Sequence, residues 1–543
     1  MRKPTDVLNS LSDKSKNPMY KFERLYRNLY NPEFYLLAYK NIYANDGSIT
    51  PGVDGVTTDG MSLERIDKII ASLKDHSYRP KPARRTYIAK KNNPAKKRPL
   101  GIPSGDDKLV QEVVRMILES IYEPTFSDVS HGFRPGKSCH TALVKIQSTF
   151  TGAKWFVEGD IQACFDSFDH HVLIEILRRR IKDEAFIGLM WKFLKAGYME
   201  QWKYHKTYTG TPQGSGISPI LANIYLNELD KYMEEYKQEF SRPARTVNPA
   251  HRNMASRIFR YKAKNDKVWN TLGAEEQKKR ARILRQMRAE QRNLPTHPLR
   301  ETSYKSLQYV RYADDFLIGV VGSREDAERL KQDLAVFLKE KLGLTLSAEK
   351  TKITNTAQCA RFLNYDIYVS RSQDIKRLKN GKRQRVYYGV VQLRMPHEKW
   401  AAKLLELGAI RISKDKSGKE RWKAMPRGKL MNRTDIEILS RYNSEVRGYY
   451  NYYSLAGNVS TLNHFSSLMK YSMLKTFGSK YRCQVRKIKE RYVKDGEFTV
   501  PYTTKAGPKE AIYYHDGFRK QDKPQLGQVD ILDIYKKYSK PNS

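Results

Sequence analysis

Cysteine is scarce in this sequence, acidic residues are outnumbered by basic ones, and long apolar runs are absent. The four cysteines among 543 residues lie far apart and form no C-x-x-C pair. That spacing argues against a disulfide framework or a cysteine-based zinc site and favours a reducing compartment. No run of about 18 apolar residues occurs, which excludes a membrane-spanning helix, and the first residues lack the apolar stretch of a secretory signal. We therefore expect a large cytoplasmic protein.

The surplus of basic residues points to a polyanionic partner. Lys and Arg number 100 against 59 Asp and Glu, so the formal net charge is +41. Nucleic acid is the obvious partner for such a charge, whereas an anionic membrane surface is an alternative for which the chain shows no anchor. The composition is 39% hydrophobic and 11% aromatic, which supports folded cores rather than general disorder. The length predicts two or three domains.

The hydrophobic pattern changes several times along the chain. Residues up to about 82 alternate helix-like stretches with turns, and residues 83–104 are typical of two short strands joined by a basic turn. Residues 306–322 are typical of a hairpin with an acidic turn. Residues 237–300 are strongly basic and mostly helical in period, which indicates an RNA-contacting insertion or, alternatively, a solvated linker helix. After about residue 385, helices rich in Lys, Arg and Tyr predominate.

Three acidic residues stand out against this basic background. Asp160 lies where the apolar strand W-F-V-E-G-D-I ends, and Asp314 and Asp315 occupy the turn of Y-A-D-D. A two-metal phosphoryl-transfer site needs such carboxylates to hold cations about 3.5–4 Å apart, and Mg²⁺ suits it because it keeps sites for water and phosphate. An Asp-Asp pair alone could be ordinary turn chemistry. The three together favour a site for two Mg²⁺ ions.

The strings Y-V-R-Y-A-D-D-F-L-I-G-V and D-I-Q-A-C-F-D resemble the palm motifs of reverse transcriptases. The resemblance implies that Asp160, Asp314 and Asp315 are the catalytic carboxylates and metal ligands, with the main-chain carbonyl of Ile161 as a further ligand. It also implies two Mg²⁺ ions, for which Mn²⁺ could substitute. Phe165 would be the steric gate against a 2′-hydroxyl, which makes dNTPs the substrates. The alternative for Phe165 is an ordinary core position.

Further segments resemble other blocks of the same enzymes. R-R-T-Y-I-A-K-K-N-N-P-A-K-K-R-P-L-G-I-P resembles the fingers strands, where Lys90 and Arg98 would hold the incoming triphosphate. G-T-P-Q-G-S-G-I-S-P resembles the block in which Gln213 lies beside the nucleotide, and Lys350 is a candidate general acid for pyrophosphate departure. Solvated surface positions remain the alternative for the lysines and for Arg98. R-F-L-N-Y-D-I-Y resembles the primer-grip block, with Asn364 in place of the customary Gly.

Three features point to bacterial group II intron-encoded proteins in particular. N-I-Y-A-N-D-G-S-I-T-P-G-V-D-G resembles their N-terminal extension, the basic insertion is usual in them, and R-Y-N-S-E-V-R-G-Y-Y-N-Y-Y-S-L-A resembles their thumb, the maturase domain X. Basic side chains would contact phosphates and tyrosines would stack on unpaired bases. The candidate RNA contacts are Arg280, Arg285, Arg447, Tyr449 and Tyr450. The alternative for those of domain X is packing within the thumb.

The resemblance implies an α+β right-hand polymerase: fingers, a palm with an antiparallel sheet, then an α-helical thumb. The expected divisions are residues 1–82 as an N-terminal extension, 83–384 as fingers and palm, 385–485 as domain X, and 486–543 as a DNA-binding region by position only. No H-N-H endonuclease is expected, because the chain has no C-x-x-C pair.

The implied function is RNA-directed DNA synthesis together with binding of a group II intron RNA as a maturase, which promotes splicing and intron mobility by reverse splicing and target-primed reverse transcription. The implied partners are the intron RNA in a ribonucleoprotein, a DNA target, an RNA–DNA hybrid and dNTPs. The alternatives are a maturase-only splicing cofactor, a retron, diversity-generating or CRISPR-associated reverse transcriptase, and an RNA-dependent RNA polymerase. Phe165 disfavours the last, since NTPs need room for the 2′-hydroxyl.

Overall fold

The structure is a computed structural model. It describes residues 2–45, 47–90, 93–201, 203–210, 214–242, 247–294, 296, 304–372, 375–377, 383–385, 388–415, 417–505 and 507–526.

Helices occur in both the N-terminal and the C-terminal parts of the chain. Within the described residues the α-helices are α1 (Pro4–Ser15), α2 (Pro32–Tyr43), α3 (Leu63–Lys74), α4 (Gly105–Tyr122), α5 (Cys139–Thr149), α6 (Cys164–Ser167), α7 (His170–Arg178), α8 (Glu184–Lys195), α9 (Ser218–Phe240), α10 (Pro249–Val268), α11 (Ala274–Asn293), α12 (Arg324–Leu342), α13 (His397–Glu406), α14 (Asp435–Tyr453), α15 (Leu462–Lys480) and α16 (Val485–Tyr492).

The strands fall into six small sheets among the described residues. They are β1 (Ala83–Lys90), β2 (Asn93–Ile102), β3 (Trp155–Asp160), β4 (Tyr198–Glu200), β5 (Lys203–His205), β6 (Ser306–Tyr312), β7 (Asp315–Val321), β8 (Lys352–Asn355), β9 (Ala360–Phe362), β10 (Tyr365–Val369), β11 (Ile375–Arg377), β12 (Arg383–Arg385), β13 (Val391–Arg394), β14 (Ile410–Lys414), β15 (Glu420–Ala424), β16 (Val493–Lys494), β17 (Glu497–Thr504) and β18 (Gly507–Ile512). Helices and mixed small sheets together make an α+β fold.

The N-terminal helices begin where side chains can cap them. The Asn31 side chain accepts a hydrogen bond from the backbone of Glu33 at the start of α2, and Ser62 accepts one from Arg65 at the start of α3. Pro32 occupies the first turn of α2, where its missing N–H costs nothing. The chain therefore passes at this proline from a short 3₁₀ helix (Tyr26–Tyr30) into α2.

The basic segment predicted as two strands forms an antiparallel hairpin. β1 pairs with β2 with Arg84 opposite Ile102, and β4 and β5 extend the sheet in the order β2-β1-β4-β5. Gly214, four residues before α9, packs closely against β2 of this sheet. Its φ is +101°, and a β-carbon at this position would lie 2.8 Å from the Leu100 side chain and 2.9 Å from the Gly101 carbonyl oxygen. Only glycine permits both this backbone conformation and this close approach.

The central sheet has the order β6-β7-β3-β8 and is antiparallel throughout. Successive side chains point to opposite faces, so Val157 and Ile318 join the core formed with α4, α7, α8, α9 and α12. Phe156 and Leu317 join a second core with α5 and the C-terminal helices. Because both faces are covered, the sheet is a rigid platform, and only its strand ends can present polar side chains to a ligand.

The C-terminal region combines helices with small sheets. Strands β9, β10 and β13 form one sheet, β14 and β15 form a hairpin, and β16 to β18 form another sheet. Phe498, Val500 and Tyr513 share a hydrophobic cluster with α14 and α15. The strand segment after residue 492 therefore packs on the helices before it, and its DNA-binding role stays a prediction.

The basic insertion forms the helical hairpin α10–α11. The two helices pack against each other, but the side chains of α11 are all at least partly exposed and the one buried residue of α10 is Asn265. A hairpin with so little apolar burial offers its charges to solvent. Among the described residues, no helix is both long and apolar enough to cross a membrane.

Candidate active site

The three predicted carboxylates meet at one end of the central sheet. Asp160 is the last residue of β3 and lies directly opposite Asp315, the first residue of β7. Asp314 occupies the turn between β6 and β7, next to Ala313, whose φ is +56°. A charged position at a strand end next to a tight turn can face a ligand while the rest of the strand is buried. The register therefore brings together residues more than 150 positions apart.

Another loop packs tightly against the acidic turn. A β-carbon on Gly132 would lie 2.4 Å from the backbone nitrogen of Ala313, so the loop can approach the turn only because this residue has no side chain. Asn223 in α9 donates a 2.8 Å hydrogen bond to the Gly132 carbonyl. The loop of residues 130–134 (S-H-G-F-R), which contains Gly132, is thus fixed against α9 and the acidic turn.

A buried ion pair holds the turn from below. Arg311 and Asp230 are both fully buried and joined at 2.6 Å, with a second hydrogen bond of 2.8 Å from Arg311 Nε. The same guanidinium donates to the Ala313 carbonyl at 2.8 Å and to Ser130 Oγ at 2.7 Å. A planar guanidinium that satisfies a carboxylate, a hydroxyl and a carbonyl at once fixes their relative positions. Arg311 therefore fixes the position of the acidic turn.

Neither Arg311 nor Asp230 was among the residues predicted from sequence. One signal was available: Arg311 is a charge inside an otherwise apolar strand, Y-V-R-Y, and a buried charge needs a partner. The identity of that partner could not be read from the pattern, because Asp230 lies 81 positions away in α9.

Lys350 reaches the first carboxylate. Its Nζ donates to Asp160 Oδ2 at 2.7 Å, although 66% of the Lys350 side chain is exposed. The hydrogen bond and the charge of Asp160 raise the pKa of Lys350 in spite of partial burial. Lys350 is thus a protonated donor at the edge of the site.

Desolvation by the surrounding protein raises the pKa values of Asp314 and Asp315. The charge of Asp314 and a hydrogen bond with Asp160 raise that of Asp315 further. The Asp315 side chain nonetheless has solvent-exposed surface. Like charges this close favour a bound proton or a cation between them.

The donor set of the site suits a hard divalent cation. Three carboxylates supply oxygen ligands, which Mg²⁺ prefers, and Asp160 and Asp315 are already in hydrogen-bonding contact. Among the described residues, no three acidic, His or Cys side chains surround a common point that a metal could take. Asp160 also accepts a 2.7 Å hydrogen bond from Lys350 Nζ.

The Ile161 carbonyl does not take part in the backbone pairing with the neighbouring segment. Ile161 forms an antiparallel bridge with Leu346, flanked by hydrogen bonds from Gln162 N to Thr345 O and from Ser347 N to Asp160 O. These two bonds make Ile161 and Leu346 the non-hydrogen-bonded pair, so the Ile161 carbonyl points away from Leu346. Its role as a metal ligand stays a prediction.

Phe165 lies in the short helix α6, five residues after Asp160. Its half-buried ring is 6.3 Å from that of Phe133 and 6.1 Å from that of Phe168. Phe133 is 54% exposed and has a φ of +56°. The two rings form an aromatic wall beside the acidic site, and Phe133 is a member that the sequence analysis did not identify.

The structure describes the predicted nucleotide-binding residues Arg98, Lys90 and Gln213 to different extents. Arg98 is exposed on β2. Its positive charge acts to lower the pKa of Asp314, but desolvation by burial is the larger effect and raises that pKa overall. Lys90 ends β1, but its side chain lies outside the described residues. Gln213 also lies outside the described residues, immediately before Gly214. Of these three residues, only Arg98 has a described side chain, and its charge acts on Asp314.

The predicted RNA contacts on α14 differ in exposure. Arg447 is exposed, whereas Tyr449 is 3% exposed and stacks on Phe465 at 4.8 Å. The hydroxyl of Tyr450 donates to the Arg519 carbonyl at 2.8 Å, so the segment after β18 partly covers this ring. Burial leaves Tyr449 no face for a base, which argues against its predicted contact.

Two neighbouring tyrosines have a structural role. The hydroxyls of Tyr452 and Tyr453 donate to the carbonyls of Leu363 and Asn364 in the β9–β10 turn. Both turn residues have positive φ, a conformation that asparagine tolerates. Asn364, which stands where the related motif has glycine, therefore adopts the positive φ that this turn requires.

On the α10–α11 hairpin, Arg285 is exposed. Arg280 instead donates to Glu276 and to Asn265, both at 3.2 Å. Arg280 joins the two helices, whereas Arg285 faces solvent.

Two family models match the chain along these regions. One, described as reverse transcriptase (RNA-dependent DNA polymerase), matches residues 88–247 and 281–367. The other, described as type II intron maturase, matches residues 389–519. The sheet with the three carboxylates lies within the first match, so the chain combines an RNA-directed DNA polymerase with a maturase region.

Curated relatives extend this likeness over the chain. Group II intron-encoded protein LtrA of Lactococcus lactis subsp. cremoris is 48% identical over 511 residues, 93% of this chain and 83% of the relative. An uncharacterized 91 kDa protein in the cob intron of Schizosaccharomyces pombe is 36% identical over 99% of this chain and 62% of the relative. Protein YkfC of Escherichia coli is 34% identical over 66% of this chain and 86% of the relative.

The chain belongs to the group II intron-encoded proteins. It is a reverse transcriptase and an intron maturase, which confirms the family, the activity and the maturase role predicted from the motifs.

Proposed function

We propose that Asp160, Asp314 and Asp315 form the polymerising centre of a right-hand arrangement. The central sheet would be the palm, the β2-β1-β4-β5 sheet with the N-terminal helices would be the fingers, and residues 385–485 would be the thumb. The observation that carries the proposal is the register that sets Asp160 opposite Asp315 beside the Asp314 turn. Arg311 and the loop at Gly132 hold this turn in place.

The site would hold two Mg²⁺ ions, with Mn²⁺ as a substitute. Asp160, Asp314, Asp315 and the Ile161 carbonyl are the ligands that fit it, since all supply hard oxygen atoms. Bound metal would polarise the phosphoryl group and lower the pKa of the attacking 3′-hydroxyl.

The remaining residues would orient the nucleotide and its leaving group. Arg98 and Lys90 would bind the triphosphate by charge and hydrogen bonds, and Gln213 would lie beside the base. Lys350, already protonated and next to Asp160, would give a proton to the departing pyrophosphate. Phe165, with Phe133 beside it, would leave no room for a 2′-hydroxyl.

The exposed basic surfaces would bind the intron RNA and the nucleic-acid substrates. Arg285, with Arg280 on the same helix, would contact phosphates, and Arg447 and Tyr450 would contribute from α14. The ribonucleoprotein would then act on a DNA target, with reverse splicing followed by target-primed reverse transcription. The net charge of +41 supports such extended contact with polyanions.

The polymerase proposal is tested by primer extension on an RNA template. The full chain should incorporate dNTPs only when a divalent cation is present, and Mn²⁺ should support a lower but measurable rate. Equal incorporation in excess EDTA would contradict the metal site.

The gate is tested by substrate choice. Phe165→Ala should lower the preference for dNTPs over NTPs by about tenfold or more, because removing the ring opens space for the extra hydroxyl. Phe168→Leu, in the core next to the gate, is the control for disturbed packing. An unchanged preference in Phe165→Ala would assign the gate to another side chain.

The maturase function is tested by self-splicing of the intron RNA at low Mg²⁺. The full chain should accelerate splicing, and the acceleration should survive replacement of Asp314 because RNA binding does not use the carboxylate.

A further inference from the structure

A cavity of about 860 Å³ opens in the C-terminal region. It lies between α13, which supplies Trp400, the hairpin strand β15, which supplies Trp422 and Lys423, and α15, which supplies Tyr471 and Lys475. Its volume is in the range of sites that bind small organic ligands. None of the predicted RNA contacts on α14 is among the lining residues.

Aromatic rings form one side of this cavity. Trp400 is 6% exposed and forms the floor, with the ring of Trp422 4.8 Å away at 51°. The Trp422 indole N–H donates to Glu420 at 3.1 Å, so its hydrogen bond is satisfied and the ring remains as a packing surface. Tyr471 is 45% exposed at the rim. An exposed aromatic side chain beside a tryptophan floor is a surface on which a planar ring can stack.

Basic groups form the other side. Lys475 Nζ lies 5.4 Å from the Tyr471 ring centroid and donates one hydrogen bond to the Ala424 carbonyl at 2.8 Å. An ammonium has three donors, so two remain for a ligand. Lys423 is exposed, His464 adds a further donor, and the nine described lining residues include no acid. The cavity therefore combines stacking faces with positive charge.

We propose that this cavity binds an unpaired base of an RNA strand, with Tyr471 and Trp422 as stacking faces and Lys423 and Lys475 as contacts to the adjacent phosphates. The inference deepens the RNA-binding function proposed above and rests on it. A stacked base with a flanking phosphate matches this pairing of rings and lysines. An acidic peptide would use the lysines but would leave the flat aromatic faces without a planar partner.

Cross-linking tests the proposal directly. The full chain is irradiated with a single-stranded RNA oligonucleotide that carries 4-thiouridine, and the cross-linked peptides are identified by mass spectrometry. Cross-links are expected on peptides that contain Trp422 or Tyr471. Adenosine monophosphate in excess serves as a competitor, because a free nucleotide offers the same base and phosphate without a strand.

Affinity for the same oligonucleotide is then measured for three variants. Tyr471→Ala should weaken binding at least about fivefold, the lower bound for one base stacked on an aromatic ring. Tyr471→Phe should bind like the parent, since it keeps the ring. Tyr43→Ala removes another exposed tyrosine, 53% accessible on α2, and should have no effect.

Three results would overturn the inference: no cross-link at the cavity, equal affinities for Tyr471→Ala and Tyr43→Ala, or displacement of the RNA by low concentrations of the mononucleotide. The last result would identify a free-nucleotide site instead. The parent chain is assayed in parallel for dNTP incorporation. Failure there would count against the polymerase function, whereas success without a cavity cross-link would overturn this inference alone.

Discussion

The acidic turn and the α10–α11 hairpin are both charged, but their charges are held in opposite ways. Beneath the turn, Arg311 and Asp230 are fully buried and every polar contact is made within the protein. On the hairpin, Arg285 is exposed and the side chains of α11 lie at the surface. Buried charges fix a geometry, whereas exposed charges supply affinity with little constraint on position.

This difference teaches how one basic chain can combine chemistry with RNA binding. Phosphoryl transfer needs carboxylates held at set distances, because small displacements lower the rate. Binding to a long polyanion needs many contacts, each of which contributes modestly. Loss of a single group should therefore have a large effect at the turn and a small one on the hairpin.

The largest effect is expected for Arg311→Met. It leaves the Asp230 carboxylate buried without an opposite charge, which costs about 3–5 kcal/mol in the free energy of unfolding. Urea denaturation of the parent and the variant measures the difference. The double variant Arg311→Met/Asp230→Leu should recover much of the stability, since it buries no unpaired charge, but it should not recover dNTP incorporation. A stable and active Arg311→Met protein would show that the pair does not hold the turn.

A smaller effect is expected for Lys350→Met. Loss of the proposed general acid should slow single-turnover dNTP incorporation by about 100-fold. Stability should change by less than about 1 kcal/mol, because the lysine of the ion pair is largely exposed. Lys68→Met, which removes another exposed lysine of an ion pair, is the control. Full activity in Lys350→Met would assign the proton donor elsewhere.

The smallest effect is expected on the hairpin, for Arg280→Ala combined with Arg285→Ala. Two phosphate contacts removed should lower the magnitude of the slope of log K against log salt by about 1.4–1.8. The affinity for intron RNA should fall only a few-fold. Arg280 should contribute less of this loss than Arg285, because its side chain already donates to Glu276 and Asn265. Binding isotherms at several salt concentrations measure both. An unchanged slope would place the RNA elsewhere.

The local parts of the fold and site were predictable from sequence. The hairpin at 306–322, the strand before Asp160 and the helical insertion each follow from a hydrophobic period or a turn signal. The carboxylates were identified because their motifs are short and contiguous.

Contacts between distant segments could not be predicted. Asp230 and Arg311 meet only after α9 packs on β6. Tyr449 and Arg447 lie two positions apart on one helix, yet one is buried and the other exposed, because α14 is covered by α15 and by the strands after it. A Tyr-rich composition indicates neither which rings form the core nor which remain free for RNA.

Single-turnover dNTP incorporation by Asp314→Asn on a primed RNA template tests the central claim most directly, with Asp13→Asn, an exposed surface acid, as the control. The rate should fall by about 1000-fold or more, since loss of a proposed metal ligand would remove several kcal/mol of transition-state stabilisation. Affinity for the primed template and stability should stay close to those of the parent. A rate within a few-fold of the parent would contradict the assignment of these carboxylates as the polymerising centre.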